Sequence, residues 1–184
     1  MKIQVIAIGA TREPFVKEGL AEYLGRMRGA RSVEWVEVKA EPGDRADGRA
    51  REAERALAKI PAGALVVALD EHGETSTSEG FAARIASAER AGERQMTFVI
   101  GSAYGLDPSV ASRSRFTLSL SRMTFPHELV RVMLAEQLYR AFQIQSGTGY
   151  HHGEPSLACG EGAPVRKPPA SSHRSARHAR TGRA

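Results

Sequence analysis

Two apolar runs constrain this chain more than anything else in it. Residues 64–69 (ALVVAL) and 96–100 (MTFVI) read as continuous apolar strands, each ending where polar or glycine residues begin. A strand apolar on both faces must be covered on both faces, which predicts a parallel sheet sandwiched between helices. The rest of the first 150 residues fits that frame by alternation. Lys2–Ile8, residues 32–38 and residues 115–120 are β-rich, and in the second of these Val33 and Trp35 interleave with Glu34 and Glu37. Residues 13–28, 49–60, 78–91, 108–114 and 128–145 read as helices. Pro14 suits the first turn of its helix, and Pro61 and Gly92 close two others. The fold class expected is α/β, a parallel-rich sheet between helices.

Several function classes are excluded by composition. No apolar run approaches the roughly 20 residues that cross a bilayer as a helix. The N-terminus, MKIQVIAIGATREPF, has a six-residue apolar stretch before Gly9, so it reads as a strand and not as a secretion signal. A single cysteine, Cys159, cannot form an internal disulfide and fits a reducing compartment; we expect a cytoplasmic protein. With no His or Cys cluster at ligand spacing, no metal site is expected.

The formal charge of +5 invites a nucleic-acid reading, but it is unevenly placed. Residues 155–184 hold Arg166, Lys167, Arg174, Arg177, Arg180 and Arg183 against the one acid Glu161. The remaining 20 basic and 20 acidic residues cancel, so residues 1–154 are neutral. In the tail only Leu157 and Val165 are large and apolar, too little to offset about 1–2 kcal/mol of backbone entropy per residue. Residues 1–154 therefore read as one domain and 155–184 as a disordered basic extension. Its contribution to binding a polyanion would be salt-dependent.

In a parallel sheet covered on both faces, ligands bind beyond the carboxyl ends of the strands. That singles out residues 70–77, 101–107 and 121–127. The first segment carries Asp70, Glu71 and Glu74, a conceivable metal site, although adjacent acids at a strand exit are usually solvated turn residues. The second has Gly101 and Gly105 without the spacing of a dinucleotide fingerprint or a P-loop. A glycine at a strand tip permits close approach of a flat ligand. The third surrounds Ser121, Arg122 and Thr124 with Met123 and Phe125, a loop able to offer backbone groups to an adenine. The last helix has a broad apolar stripe of Leu129, Val130, Met133, Leu134, Leu138, Phe142 and Ile144, wider than one core needs. Part of it is expected to pack on a second copy. Glu136 and Arg140 lie at i,i+4 and suit a surface pair.

The motifs VVALDEHG, FVIGSAYGL and LSLSRMTFPHELVRVMLAEQLYRAFQI, followed by Tyr150-His151-His152, resemble the RlmH family of SPOUT-class methyltransferases. The opening MKIQVIAIGATREPFVKEGLAEYLGR matches as well, so the resemblance covers about residues 1–152. It implies an α/β fold with a C-terminal trefoil knot and a homodimer. It also implies S-adenosylmethionine as cofactor and methylation at N3 of a pseudouridine in large-subunit ribosomal RNA within the ribosome. Carried over by motif, the cofactor contacts are Leu69, Gly101, Leu120, Ser121, Arg122, Met123, Thr124 and Phe125. His127, Arg140, Tyr150 and His151 are the candidates for the reaction itself, with His152 a further candidate base. Arg131 and Arg140 are expected to hold RNA phosphates.

Three departures from the family pattern stand out: Ser102 where a second glycine is usual, His152 where a basic residue is usual, and the 30-residue tail. Ser102 either narrows the cofactor mouth or adds a hydrogen bond. Two other readings stay open at this point, a non-catalytic ribosome- or RNA-associated module of the same fold and a methyltransferase acting on another RNA.

Overall fold

The computed structural model describes residues 1–27 and 32–147. The elements are β1 (Lys2–Ile8), α1 (Pro14–Arg26), β2 (Val33–Val38), α2 (Ala46–Leu57), β3 (Leu65–Thr75), α3 (Ser78–Arg90), β4 (Gln95–Ile100), α4 (Pro108–Arg113), β5 (Phe116–Ser119) and α5 (His127–Ser146). The five strands form one sheet in the order β2-β1-β4-β3-β5, and every pair is parallel. This is the covered parallel sheet that the apolar runs predict.

Alternation along each strand divides the core in two, because successive side chains point to opposite faces. Val5, Ala7, Val67, Leu69, Phe98 and Ile100 pack on one face with Phe81 and Ile85 of α3 and Leu134, Leu138 and Phe142 of α5. Ile6, Ile8, Val66, Ala68 and Val99 pack on the other with Ala53 and Ala56 of α2 and Val110 of α4. Thr97 is the exception in a run that reads as apolar. It is fully buried and its hydroxyl donates to Gln4 Oε1 at 3.1 Å, so the polar atom is satisfied across the β1–β4 pair.

Two elements differ from the sequence reading by three residues or more. Helix α2 starts at Ala46 and ends at Leu57, not at 49 and 60. Strand β3 continues past Leu69 through a segment whose composition predicts a loop. Its register with β5 slips there, so that Leu69 and then Glu74 both stand opposite Leu118. The bulge brings Gly73 against β5: a Cβ built on it would lie 2.8 Å from the backbone carbonyl carbons of Thr117 and Leu118. Only glycine leaves room for that approach.

Helix ends are set locally. Thr77 Oγ1 accepts the Gly80 N–H and starts α3, and Asp107 Oδ1 accepts the Ser109 N–H, with Pro108 following, to start α4. Helix α5 ends at Gly147, whose φ of 65° is left-handed. Along α5 every residue but Ser146 is buried or half-buried. Helices α1 and α3 of the same chain cover much of the wide apolar stripe, leaving Leu129, Val130, Met133 and Ile144 half-buried. The tail and the 154/155 boundary lie outside the described residues.

Candidate functional site

The strand order places β4 beside β3 and β3 beside β5, so the carboxyl ends of these three strands are neighbours. The β3 bulge that begins after Leu69, together with the segments that follow β4 and β5, lines an open cavity of about 700 Å³. Its apolar wall is Leu69, Ile100, Leu118, Leu120, Phe125 and Val130; its polar rim includes Asp70, Glu71, Ser121, Thr124 and His127.

Each segment is held in shape by short hydrogen bonds. Asp70 Oδ1 accepts the His72 N–H at 2.8 Å, which turns the chain just after Leu69. The Ser119 hydroxyl donates to the Ser121 carbonyl at 2.7 Å, and the Met123 N–H donates to Ser121 Oγ at 3.0 Å. The Thr124 hydroxyl donates to Glu71 Oε2 at 2.6 Å, joining the first segment to the third. In the second, the Gly105 N–H donates to the Ser102 carbonyl at 3.1 Å. A Cβ built on Gly101 would lie 2.8 Å from the Gly105 carbonyl carbon, so this turn closes onto the glycine itself. The reason for a glycine here is thus the turn's own backbone, with or without a ligand.

Of the residues carried over for the cofactor, Leu69, Gly101, Leu120, Ser121, Met123, Thr124 and Phe125 line this cavity. Arg122 is exposed and is not among its lining residues. Met123 is 71% exposed at the rim. His127, the first residue of α5, also lines it. Burial, and then the Arg131 guanidinium, push the imidazole below its ordinary range, which keeps the ring neutral at neutral pH. Arg140 is outside the cavity and donates to Glu136 Oε1 at 2.9 Å, the pair that the i,i+4 spacing predicts. Tyr150, His151 and His152 lie outside the described residues.

Arg131 requires a correction. It is not a surface cation for RNA phosphates but a fully buried clamp. Its Nη2 donates to the carbonyls of Ile8 at 3.0 Å and Gly9 at 2.9 Å, and its Nη1 donates to Thr11 Oγ1 at 2.6 Å and reaches Glu37 Oε1 at 3.4 Å. Burial lowers its pKa, and Glu37 and Glu128 act in the opposite sense. One turn earlier, Glu128 Oε2 accepts the N–H groups of Arg12 and Glu13 at 2.9 and 3.0 Å. Burial works against that carboxylate's charge, and the two N–H donors together with the nearby Arg131 and His127 outweigh it, leaving its pKa below the usual range. The start of α5, and His127 with it, is therefore fastened to the β1–α1 connection.

The profile of a family described as "Predicted SPOUT methyltransferase" matches residues 1–151. The chain belongs to the SPOUT methyltransferase family.

This SPOUT methyltransferase is similar along most of its length to named bacterial proteins. "Ribosomal RNA large subunit methyltransferase H" of Geotalea uraniireducens is 42% identical over 153 residues, covering 83% of this chain and 100% of that one. The protein of the same name from Pelobacter propionicus is 45% identical over 153 residues, with the same two coverages. Among solved structures, a probable methylase family protein from Haemophilus influenzae aligns with a TM-score of 0.49 and 12% identity, covering 84% of this chain and 72% of that one.

Sequence reasoning missed several residues that shape the site of this SPOUT methyltransferase. Glu52 is buried beneath the second segment, and Thr11 and Glu37 complete the Arg131 clamp; Glu71, named in the first segment from the sequence, bonds Thr124 of the third. For Glu52 the signal is an acid on an Ala- and Arg-rich helix, a pattern shared with any solvated helix face. Among the described residues no group of three or more His, Cys, Asp or Glu could hold a metal.

Proposed function

We propose that the chain methylates N3 of a pseudouridine in large-subunit ribosomal RNA, with S-adenosylmethionine as methyl donor. The observation that carries this reading is the convergence of three strand ends on one cavity in a chain of a methyltransferase family. The relatives' name supplies the RNA class.

The cavity suits this cofactor on its own chemistry. Leu69, Ile100, Leu118 and Leu120 offer apolar surface for a flat purine. The third segment offers Ser121, Thr124 and backbone groups for its polar edge, and the carboxylates of Asp70 and Glu71 suit a cationic ligand. When bound, the cofactor supplies an electrophilic methyl group on a sulfonium centre. The residues of the chain then orient the reactants, which is the larger part of catalysis for so reactive a donor. Leu69, Gly101, Leu120, Ser121, Met123, Thr124 and Phe125 would hold the cofactor. Methyl transfer to N3 would require loss of the imide proton from the base. His127, neutral and at the rim, accepts that proton or passes it to water.

The reading includes the trefoil knot, action on the assembled ribosome in the cytoplasm, and a homodimer in which a second copy covers the half-buried Leu129, Met133 and Ile144. Tyr150, His151 and Arg140 belong to the RNA side of the site in this reading. Residues 155–184 add a salt-dependent attraction to RNA.

Calorimetry with S-adenosylmethionine, followed by methylation of ribosomes from a strain lacking this gene, tests the reading. A folded protein that binds the cofactor and adds one methyl group to a large-subunit pseudouridine is the expected outcome. Absence of cofactor binding makes the chain a non-catalytic module, and a methyl group on another nucleotide changes the target. Sedimentation at micromolar concentration should give a dimer; a strictly monomeric species removes the homodimer from the reading.

A further inference from the structure

Glu52 lies on α2, on the sheet face opposite α5, with 2% of its surface exposed. No salt bridge reaches it among the described residues; both carboxylate oxygens are held by neutral donors. Oε1 accepts the Glu41 N–H at 2.7 Å and Oε2 accepts the Ser102 hydroxyl at 3.0 Å. Its helix neighbours Ala53 and Ala56 fill the same layer with apolar atoms, so packing alone does not call for an acid there. A buried carboxyl group is costly unless its oxygens are hydrogen-bonded, and here both are committed, to the Glu41 N–H and to the Ser102 hydroxyl, a task that an apolar residue would not perform.

The task is visible at Ser102. This residue opens the turn from Gly101 to Gly105, and Gly101, Ser102, Ala103 and Gly105 all line the cavity. Ser102 Oγ also accepts the Tyr104 N–H at 3.5 Å, while the Ser102 carbonyl accepts the Gly105 N–H at 3.1 Å. Gly105 has a φ of +81°. A turn that closes this tightly moves as a unit, and the Ser102 hydroxyl is its side-chain bond to the layer beneath. The hydroxyl therefore points to Glu52 rather than narrowing the cavity mouth.

We infer that Glu52 is a positioning residue: through the Ser102 hydroxyl it sets where the Gly101–Gly105 turn stands as a wall of the cofactor cavity. This rests on the S-adenosylmethionine reading of that cavity. A positioning role separates from a merely structural one because it acts on one ligand and on one turn.

The test compares Ser102→Ala, Glu52→Leu, Glu52→Gln and the double variant Glu52→Leu with Ser102→Ala, by calorimetry with S-adenosylmethionine and by amide hydrogen exchange of the cofactor-free protein. Ser102→Ala and Glu52→Leu should each weaken cofactor binding about fivefold, the scale of one ordinary hydrogen bond. The double variant should be no worse than either single one, since both remove the same bond. Glu52→Gln should retain more affinity than Glu52→Leu, because its amide can donate to Ser102 Oγ. Exchange at the Tyr104 and Gly105 amides should quicken in Ser102→Ala, and the KM for ribosomes should not move. Cofactor affinity within twofold of the parent in folded Ser102→Ala, or losses that multiply in the double variant, would overturn the inference. A parent protein that binds no S-adenosylmethionine overturns the functional reading instead, which the amide exchange of the turn distinguishes.

Discussion

Arg131→Met should lower the stability of the fold by about 3 kcal/mol, read as a shift of the urea midpoint at unchanged slope. The guanidinium is fully buried and serves two backbone carbonyls, a threonine hydroxyl and the Glu37 carboxylate at once. Methionine fills much of the volume, so the loss is polar. The carbonyls of Ile8 and Gly9 lose their donors, at about 1–3 kcal/mol for each buried group left unsatisfied. Glu37 is 38% exposed, and water recovers part of its share. For a domain of this size the loss corresponds to roughly 6–12 °C in melting temperature. Arg131→Lys should recover only a fraction, because an ammonium cannot reproduce the planar fork. A midpoint within about 0.5 kcal/mol of the parent, the range of an ordinary surface change, would show that the clamp is dispensable.

Gly101→Val should weaken S-adenosylmethionine binding at least tenfold, about 1.4 kcal/mol or more, in a protein that still folds. The physical cause lies within the chain. A Cβ at Gly101 stands 2.8 Å from the Gly105 carbonyl carbon and 2.9 Å from its oxygen, so the turn must open whether or not a ligand is bound. Because the turn lines the cavity, its displacement changes the wall that the cofactor meets. Gly101→Ala should already show most of the effect, since the clash is with the first side-chain atom. Calorimetry on variants with a native melting temperature decides it, and unaltered affinity would place the cofactor elsewhere.

Much of this architecture is legible in the order of the residues. Parallel strands buried on both faces leave a strong imprint, so the β/α alternation and the strand-end location of the cavity follow from 64–69 and 96–100. The α2 boundaries are less legible because an Ala- and Arg-rich stretch has no sharp cap: Arg45 makes no side-chain capping bond. The continuation of β3 past Leu69 reads as a loop because Asp70, Glu71 and Gly73 carry the composition of one. Strand pairing there depends on β5, more than 40 residues later, and local composition holds no record of it.

Arg131, Ser102 and Glu52 mark the division between what the sequence determined and what tertiary structure decided. By itself the sequence determined the period of each element, the neutral charge of residues 1–154 and the three segments that form the cavity rim, because periodicity and turn chemistry are local. It left open which charged residues face inward. Arginine on a helix reads the same whether it meets solvent or two carbonyls, and the difference rests on β1 and β2 arriving at its level. The partner of Ser102 lies 50 residues earlier on another helix, and the pairing exists only once the sheet has brought α2 beneath the end of β4. Buried polar contacts of long sequence separation are products of packing, and packing is where this site acquires its shape.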